Sequence, residues 1–102
     1  MALLALDSQD LDVDATSGGV GFSTTILENV NIVRAVCTVE TAQIRTKTDP
    51  AETLTATAKG EVWNVGNRFY VIGRDDMLNF KAIRTGGTSG KLVVTYEGVG
   101  NP

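Results

Sequence analysis

A strict alternation of apolar and polar residues near the end of the chain is the feature that most constrains the fold. From Lys91 to Glu97 the sequence reads KLVVTYE, so that Leu92, Val94 and Tyr96 share one face of an extended chain. Because successive side chains of a strand point to opposite faces, this period of two predicts a β-strand with one face in a core. Such a strand is not stable alone, so the rest of the chain must supply the sheet that covers it.

A second alternation stands just before it. Leu78, Phe80 and Ala82 alternate with polar residues, and the sequence TGGTSG follows at residues 85–90. We therefore predict a hairpin from Leu78 to Glu97 with a glycine-rich tip. Ile83 falls on the opposite face of its strand, where a second packed surface could use it.

Short apolar runs separated by turn residues occur along the whole chain, at intervals of roughly 8 to 12 residues. They predict an all-β fold, an antiparallel β-sandwich or jelly roll of about eight short strands. The 102 residues are enough for one domain. We expect an acidic amino-terminal arm with the first strand or strands at residues 1–30, the sandwich core at 31–98 and a tail at 99–102.

Several segments need an interpretation of their own. Residues 24–36 contain a possible helix capping box, Thr25-x-x-Glu28, but their β-branched residues favour a strand. The apolar positions change parity after Val39, which predicts a bulge near residues 40–41. Residues 54–57 and 61–63 are predicted as short strands, and residues 69–72, apolar on both faces, as a central strand covered on both sides.

The charge is unevenly distributed. The net charge is −3, yet residues 1–30 contain five acids and no base. The acidic amino-terminal part could contact a basic neighbour or a second copy of the chain, but a solvated acidic surface is the favoured interpretation. An acidic chain without a basic stripe is not expected to bind nucleic acid. The apolar first six residues lack the basic start of a secretion signal, and no apolar run is long enough for a membrane helix.

The residues that carry most enzyme chemistry are missing. The chain has no histidine and a single cysteine, Cys37, so it contains neither a Ser-His-Asp nor a Cys-His arrangement and no pair of cysteines for zinc. The acids Asp10, Asp12 and Asp14 do not form a calcium loop, because the required Gly and Glu are replaced at positions 15 and 21. Asp75 and Asp76 are adjacent and are expected to point apart. We expect no enzyme activity, no cofactor and no metal.

The aromatic residues leave one binding hypothesis open. Trp63, Tyr70 and Tyr96, with Asn64 and Asn67, could form a platform for a sugar ring. The six aromatic residues are few for a core of this size, and a core role is therefore the favoured interpretation.

Two sequence blocks carry a family resemblance. The first is VETAQIR at residues 39–45, and the second is FKAIRTGGTSG at residues 80–90, followed by VTYE at 94–97. With Gly60 and Gly66 between them, they resemble a group of small structural proteins of tailed bacteriophages, over about residues 31–98. The chain departs from the pattern at Thr46, where an aromatic residue is usual, and in the turn at residues 49–52.

The resemblance implies a virion structural protein. The expected role is that of a capsid decoration, or cement, protein, made in the host cytoplasm, that binds the major capsid protein on the head surface as a homotrimer. We expect the apolar amino-terminal segment to make the capsid or self contact by strand addition; its residues are Ala2, Leu3, Leu4, Ala5 and Leu6. The alternatives are a glycan-binding module of a tail fibre or baseplate, and another tail or connector component.

Overall fold

The computed structural model describes residues 3–51, 53–57 and 59–100. Two antiparallel sheets enclose an apolar core, and the predicted all-β sandwich is confirmed. A 3₁₀ turn (Ile26–Glu28) lies between the first two strands, and the helix α1 (Arg74–Asn79) connects β5 to β6. The strands of the described ranges are β1 (Leu4–Val13), β2 (Ile32–Thr41), β3 (Ile44–Lys47), β4 (Glu61–Trp63), β5 (Arg68–Ile72), β6 (Lys81–Arg84) and β7 (Gly90–Gly98).

The strand order is that of a jelly roll. The larger sheet runs β1-β7-β2-β5 and the smaller β4-β3-β6, and a single bridge from Val20 to Ala82 adds a residue beside β6. The antiparallel pairs are nested along the chain: β1 with β7, Val20 with β6, β2 with β5, and β3 with β4. The second of the usual eight strands is thus reduced to one bridge, and the described residues contain seven strands where the sequence predicts about eight.

The strand β7 is the centre of the larger sheet, and its alternation is as predicted. Leu92, Val94 and Tyr96 are fully buried, whereas the residues between them are half-buried. The ring of Tyr96 meets Phe22 edge to face at 5.6 Å, and Phe22 stacks on Phe80 at 4.1 Å. Aromatic contacts of this kind contribute about 0.5 to 1.5 kcal/mol each beyond the area they bury. The core therefore joins both sheets through a cluster of rings.

The predicted hairpin between Leu78 and Glu97 is wrong. Leu78 ends up exposed on α1, and β6 and β7 belong to different sheets: β6 pairs with β3, and β7 with β1 and β2. The glycine-rich segment 85–89 is a crossover between the two sheets. Ile83 is buried, although it does not belong to the main core cluster, and it pairs with Arg45 of β3. Its burial on this face is what the predicted second packed surface requires.

Two other predictions change and one is confirmed. The strand predicted over residues 24–36 begins only at Ile32, because the Thr25-x-x-Glu28 segment forms the 3₁₀ turn. The described residues among 54–57 are not a strand, although Leu54 is buried. The register of β2 shifts between Val39 and Thr41, so the predicted bulge is confirmed, and the parity change marks the passage of the chain into the other sheet.

The prediction of a central strand at residues 69–72 is also wrong. The strand β5 lies at the edge of the larger sheet and pairs only with β2. Its inward residues Phe69 and Val71 are buried, but Tyr70 and Ile72 on the outer face are 51 % and 63 % exposed. No second layer covers them within the described parts of the chain.

Candidate interaction site

The amino-terminal segment predicted to bind a partner is the beginning of β1. Leu4 and Ala5 pair with Gly98 and Glu97 of β7, and Leu6 packs partly against the core. Leu4 is nevertheless 52 % exposed, and Leu3 is half-buried. The structure thus places residues 4–6 in the chain's own sheet, just after Leu3, with Leu4 and Ala5 exposed; Ala2 lies outside the described residues.

The acids of β1 form its solvent face. Asp7, Asp10 and Asp12 are exposed, and the Asp10 carboxylate lies 3.7 Å from the Lys91 ammonium of β7. Asp14, just after the strand, accepts hydrogen bonds from the side chain and the backbone of Thr16, and these bonds hold the pKa of Asp14 below its usual value. No group of acids, cysteine or histidine that could hold a metal exists in the described ranges.

The two groups with the most strongly perturbed pKa values are buried in the core. Burial raises the pKa of the Cys37 thiol to about 12 and also raises the pKa of Tyr96. A thiol that stays protonated is a poor nucleophile, and Cys37 is a fully buried member of the core. Within residues 3–51, 53–57 and 59–100, no helix is long and apolar enough to cross a membrane.

The aromatic residues of the sugar-platform hypothesis do not come together. Tyr96 is fully buried, and the ring of Trp63 stacks on Phe69 at 4.5 Å. The indole N–H of Trp63 donates to the Thr46 hydroxyl at 2.8 Å. Trp63 and Tyr70 line one groove, but Tyr96 is not part of it, so the three rings do not form the predicted platform.

A candidate binding surface is the edge of β5, which pairs with β2 on its other side, and the groove beside this edge. The groove has a volume of about 330 Å³ and lies between β5 and the smaller sheet. Apolar side chains and charged side chains of both signs line it; they include Trp63, Phe69, Phe80, Lys47, Glu61 and Asp76. An extended segment laid along β5 would close the groove.

Side chains of the neighbouring strands hold the outer face of this edge in place. The Arg34 guanidinium on β2 lies 5.1 Å from the ring centroid of Tyr70, and its Nε donates to Glu97 of β7 at 2.6 Å. The cation therefore bridges a carboxylate and an aromatic face across three strands. Tyr70 is consequently exposed and also restrained.

Sequence reasoning missed Tyr70 and Ile72 as surface residues. An apolar run is compatible with burial on both faces and equally with an edge strand that buries one face and exposes the other. The one available signal is Arg68, a charged residue inside the short strand, since charges are typical of sheet edges.

Comparison of the chain with known protein families, curated proteins and solved structures gives no match. The fold and the β5 edge are therefore interpreted from their own geometry.

Proposed function

We propose that this chain is a structural protein of a phage virion, a capsid decoration protein that binds the major capsid protein as a homotrimer on the head surface. The observation that carries the proposal is the resemblance of residues 39–45 and 80–97 to small phage structural proteins. Fold-level analogy adds modest support, because jelly rolls recur in viral shells, although a fold alone does not define a function. The proposal includes no enzyme activity.

Exposed apolar groups at both edges of the larger sheet are compatible with such a role. At one edge stands Leu4, at the start of β1, and at the other stand Tyr70 and Ile72 on β5. Protein surfaces that bind partners expose apolar groups of this kind. A trimer presents each contact three times, so that weak single contacts add up by avidity, by roughly 10² to 10⁴.

The test measures occupancy on purified heads of the parent virus. Leu4→Lys removes the exposed apolar group at the predicted capsid contact. Full burial of a leucine contributes about 1.5 to 3 kcal/mol; because Leu4 is 52 % exposed, about half of this is available, and we expect roughly 4- to 13-fold weaker binding per site. Val65→Lys is the matched control, because Val65 is 57 % exposed but lies in the turn before β5, next to the Val39 end of the sheet.

Wild-type protein and the Val65→Lys variant should decorate heads equally, and the Leu4→Lys variant should decorate them less. Equal occupancy of the heads by all three proteins would show that the amino-terminal segment is not part of the contact. Absence of the wild-type protein from heads, with binding on a glycan array, would replace the proposal by the glycan-binding alternative. Imaging of intact virions would reveal a tail or connector location.

A further inference from the structure

At the free edge of β5, three residues have backbone groups that no other described residue pairs with. The Val39 N–H donates to the Asn67 carbonyl, and the Gly73 N–H donates to the Val33 carbonyl. In an antiparallel pair the residues that face the neighbouring strand alternate with those that face away. Positions 67, 69, 71 and 73 therefore face β2, and the N–H and C=O groups of Arg68, Tyr70 and Ile72 point outward. Among the described residues nothing forms a backbone hydrogen bond with them.

The two edges of the larger sheet differ in how they are protected. Native proteins protect edge strands with charges, prolines or bulges. The strand β1 has a bulge between Ala5 and Asp7 and a row of exposed acids, so two β1 strands repel each other. The strand β5 has a single charge, Arg68, with no acid, no proline and no shift in its register, and it exposes Tyr70 and Ile72. The edge open to pairing is therefore β5.

We propose that β5 pairs with β5 of a second copy of this chain, antiparallel, about a twofold axis at Tyr70. The outward-facing residues are symmetric about this position, since Arg68 and Ile72 lie two residues to either side. Each Tyr70 then faces the Tyr70 of the other copy, and Arg68 faces Ile72. About six backbone hydrogen bonds form, and the two four-stranded sheets join into one continuous sheet.

The charges favour the same arrangement. Arg68 lies at the beginning of β5, whereas Asp75 and Asp76 follow its end in the first turn of α1, and Asp76 lines the groove together with Ile72. Antiparallel pairing brings Arg68 of each copy toward the acidic end of the other, and parallel pairing would place the arginines side by side. The edge is thus self-complementary in register and in charge, which identifies a second copy as its occupant.

The contact is independent of the proposed function. It needs neither heads nor a trimer, and its test is carried out on purified protein in solution. In a trimeric decoration layer the same contact would link neighbouring trimers across local twofold axes. Because a five-residue strand makes a small interface, association in dilute solution is weak, and the test traps it covalently.

The first experiment places single cysteines along the edge. Tyr70→Cys should give a disulfide-linked dimer under mild oxidation, because paired residues at this type of position have Cα atoms about 5.5 Å apart, within disulfide range. Arg68→Cys and Ile72→Cys are the matched controls. In the proposed pair, residue 68 of one copy lies roughly 13 Å from residue 68 of the other, and the same holds for residue 72, as the rise per residue of a strand gives. The native Cys37 is buried and does not compete.

The expected result is cross-linking of Tyr70→Cys alone among the single variants, and cross-linking of the double variant Arg68→Cys/Ile72→Cys. Equal cross-linking of all three single variants would indicate random collision and overturn the proposal. No cross-linking of Tyr70→Cys would overturn it as well.

The second experiment uses the unmodified protein. Amide hydrogen exchange at Arg68, Tyr70 and Ile72 should slow as protein concentration rises, because the second copy supplies their acceptors. The amides of Phe69 and Val71, which face β2, should be protected at every concentration and serve as internal controls. Fast exchange of the first set at all concentrations would refute pairing between copies. Protection that appears only on heads would assign the edge to a different partner.

Discussion

The hydrogen bond between Tyr96 and Gln9 ties the first strand to the centre of the sheet. The Tyr96 hydroxyl, fully buried, donates to Gln9 Oε1 at 2.6 Å, and the Ser23 backbone N–H donates to the same oxygen at 3.1 Å. One side-chain oxygen on β1 thus accepts from two elements. The two ends of this contact are not equivalent, and mutations should reveal the difference.

Tyr96→Phe removes one donor and leaves the oxygen of Gln9 bonded to Ser23. We expect a loss of about 1 kcal/mol, the net value of one hydrogen bond, which lowers the Tm by about 4 to 8 °C in a domain of this size. Gln9→Leu leaves the Tyr96 hydroxyl without this acceptor and the Ser23 N–H without this partner. Since each of these two orphaned groups costs about 1 to 3 kcal/mol, we expect a loss of about 2 to 6 kcal/mol.

Urea denaturation of the single variants and the double variant measures these values. The double variant should lose less stability than the sum of the single losses, because it no longer contains the buried hydroxyl. Ser8→Ala, an exposed change on the same strand, is the control and should stay within about 0.5 kcal/mol of wild type. A Gln9→Leu variant as stable as Tyr96→Phe would refute the reasoning.

Two further predictions concern single residues. Gly98→Ala should destabilise the fold by about 1 to 3 kcal/mol or more, because a Cβ there would lie 1.9 Å from the Asn31 carbonyl oxygen. Gly87→Ala, with open space around it, should be nearly neutral in the same denaturation assay, and equal losses would contradict the contact. The Cys37 thiol should react with thiol reagents only on unfolding. Because its pKa is raised to about 12 in the fold, the folded state binds more protons, so the free energy of unfolding should fall between about pH 9 and 12. The slope should be smaller in Cys37→Ala, and the same slope in both proteins would rule out this cause.

The sequence predicts faces of strands better than it predicts their neighbours. Leu92, Val94 and Tyr96 are buried as expected, because the alternation of apolar and polar residues indicates directly which face of a strand is buried. The same kind of pattern at residues 80–83 does not say which strand lies alongside. Segment 85–89 is long enough either to turn back or to cross to the other sheet, and tertiary packing selects the crossing.

The helix α1 was hidden by a similar ambiguity. Leu78, Phe80 and Ala82 alternate like a strand, but Met77 and Phe80 are three apart, and both are buried. Helical spacing after Gly73, with Asp75 and Asp76 in the first turn, is the signal that could have found it. A helix of six residues is too short for periodicity to decide.

The candidate site was out of reach of the sequence for a different reason. Whether β5 lies at the centre or at the edge depends on the order of strands in space, and Phe69–Ile72 is compatible with both. Exposure of Tyr70 and Ile72 is thus a property of the topology. The amino-terminal segment, by contrast, was recognised as apolar and extended, but its pairing with β7 could not be read from its own residues.

The nesting of strand pairs has a consequence for how the chain reaches its native state. The innermost pair, β3 with β4, closes a short loop, whereas β1 meets β7 only after nearly the whole chain has been gathered, as the pair Leu11 and Leu92 illustrates. Since distant closures carry the larger entropic cost, we expect refolding in milliseconds to seconds, with the acidic first strand docking late. Until β1 docks, the apolar side chains of Leu92, Val94 and Tyr96 can pack against a segment that is not their native partner.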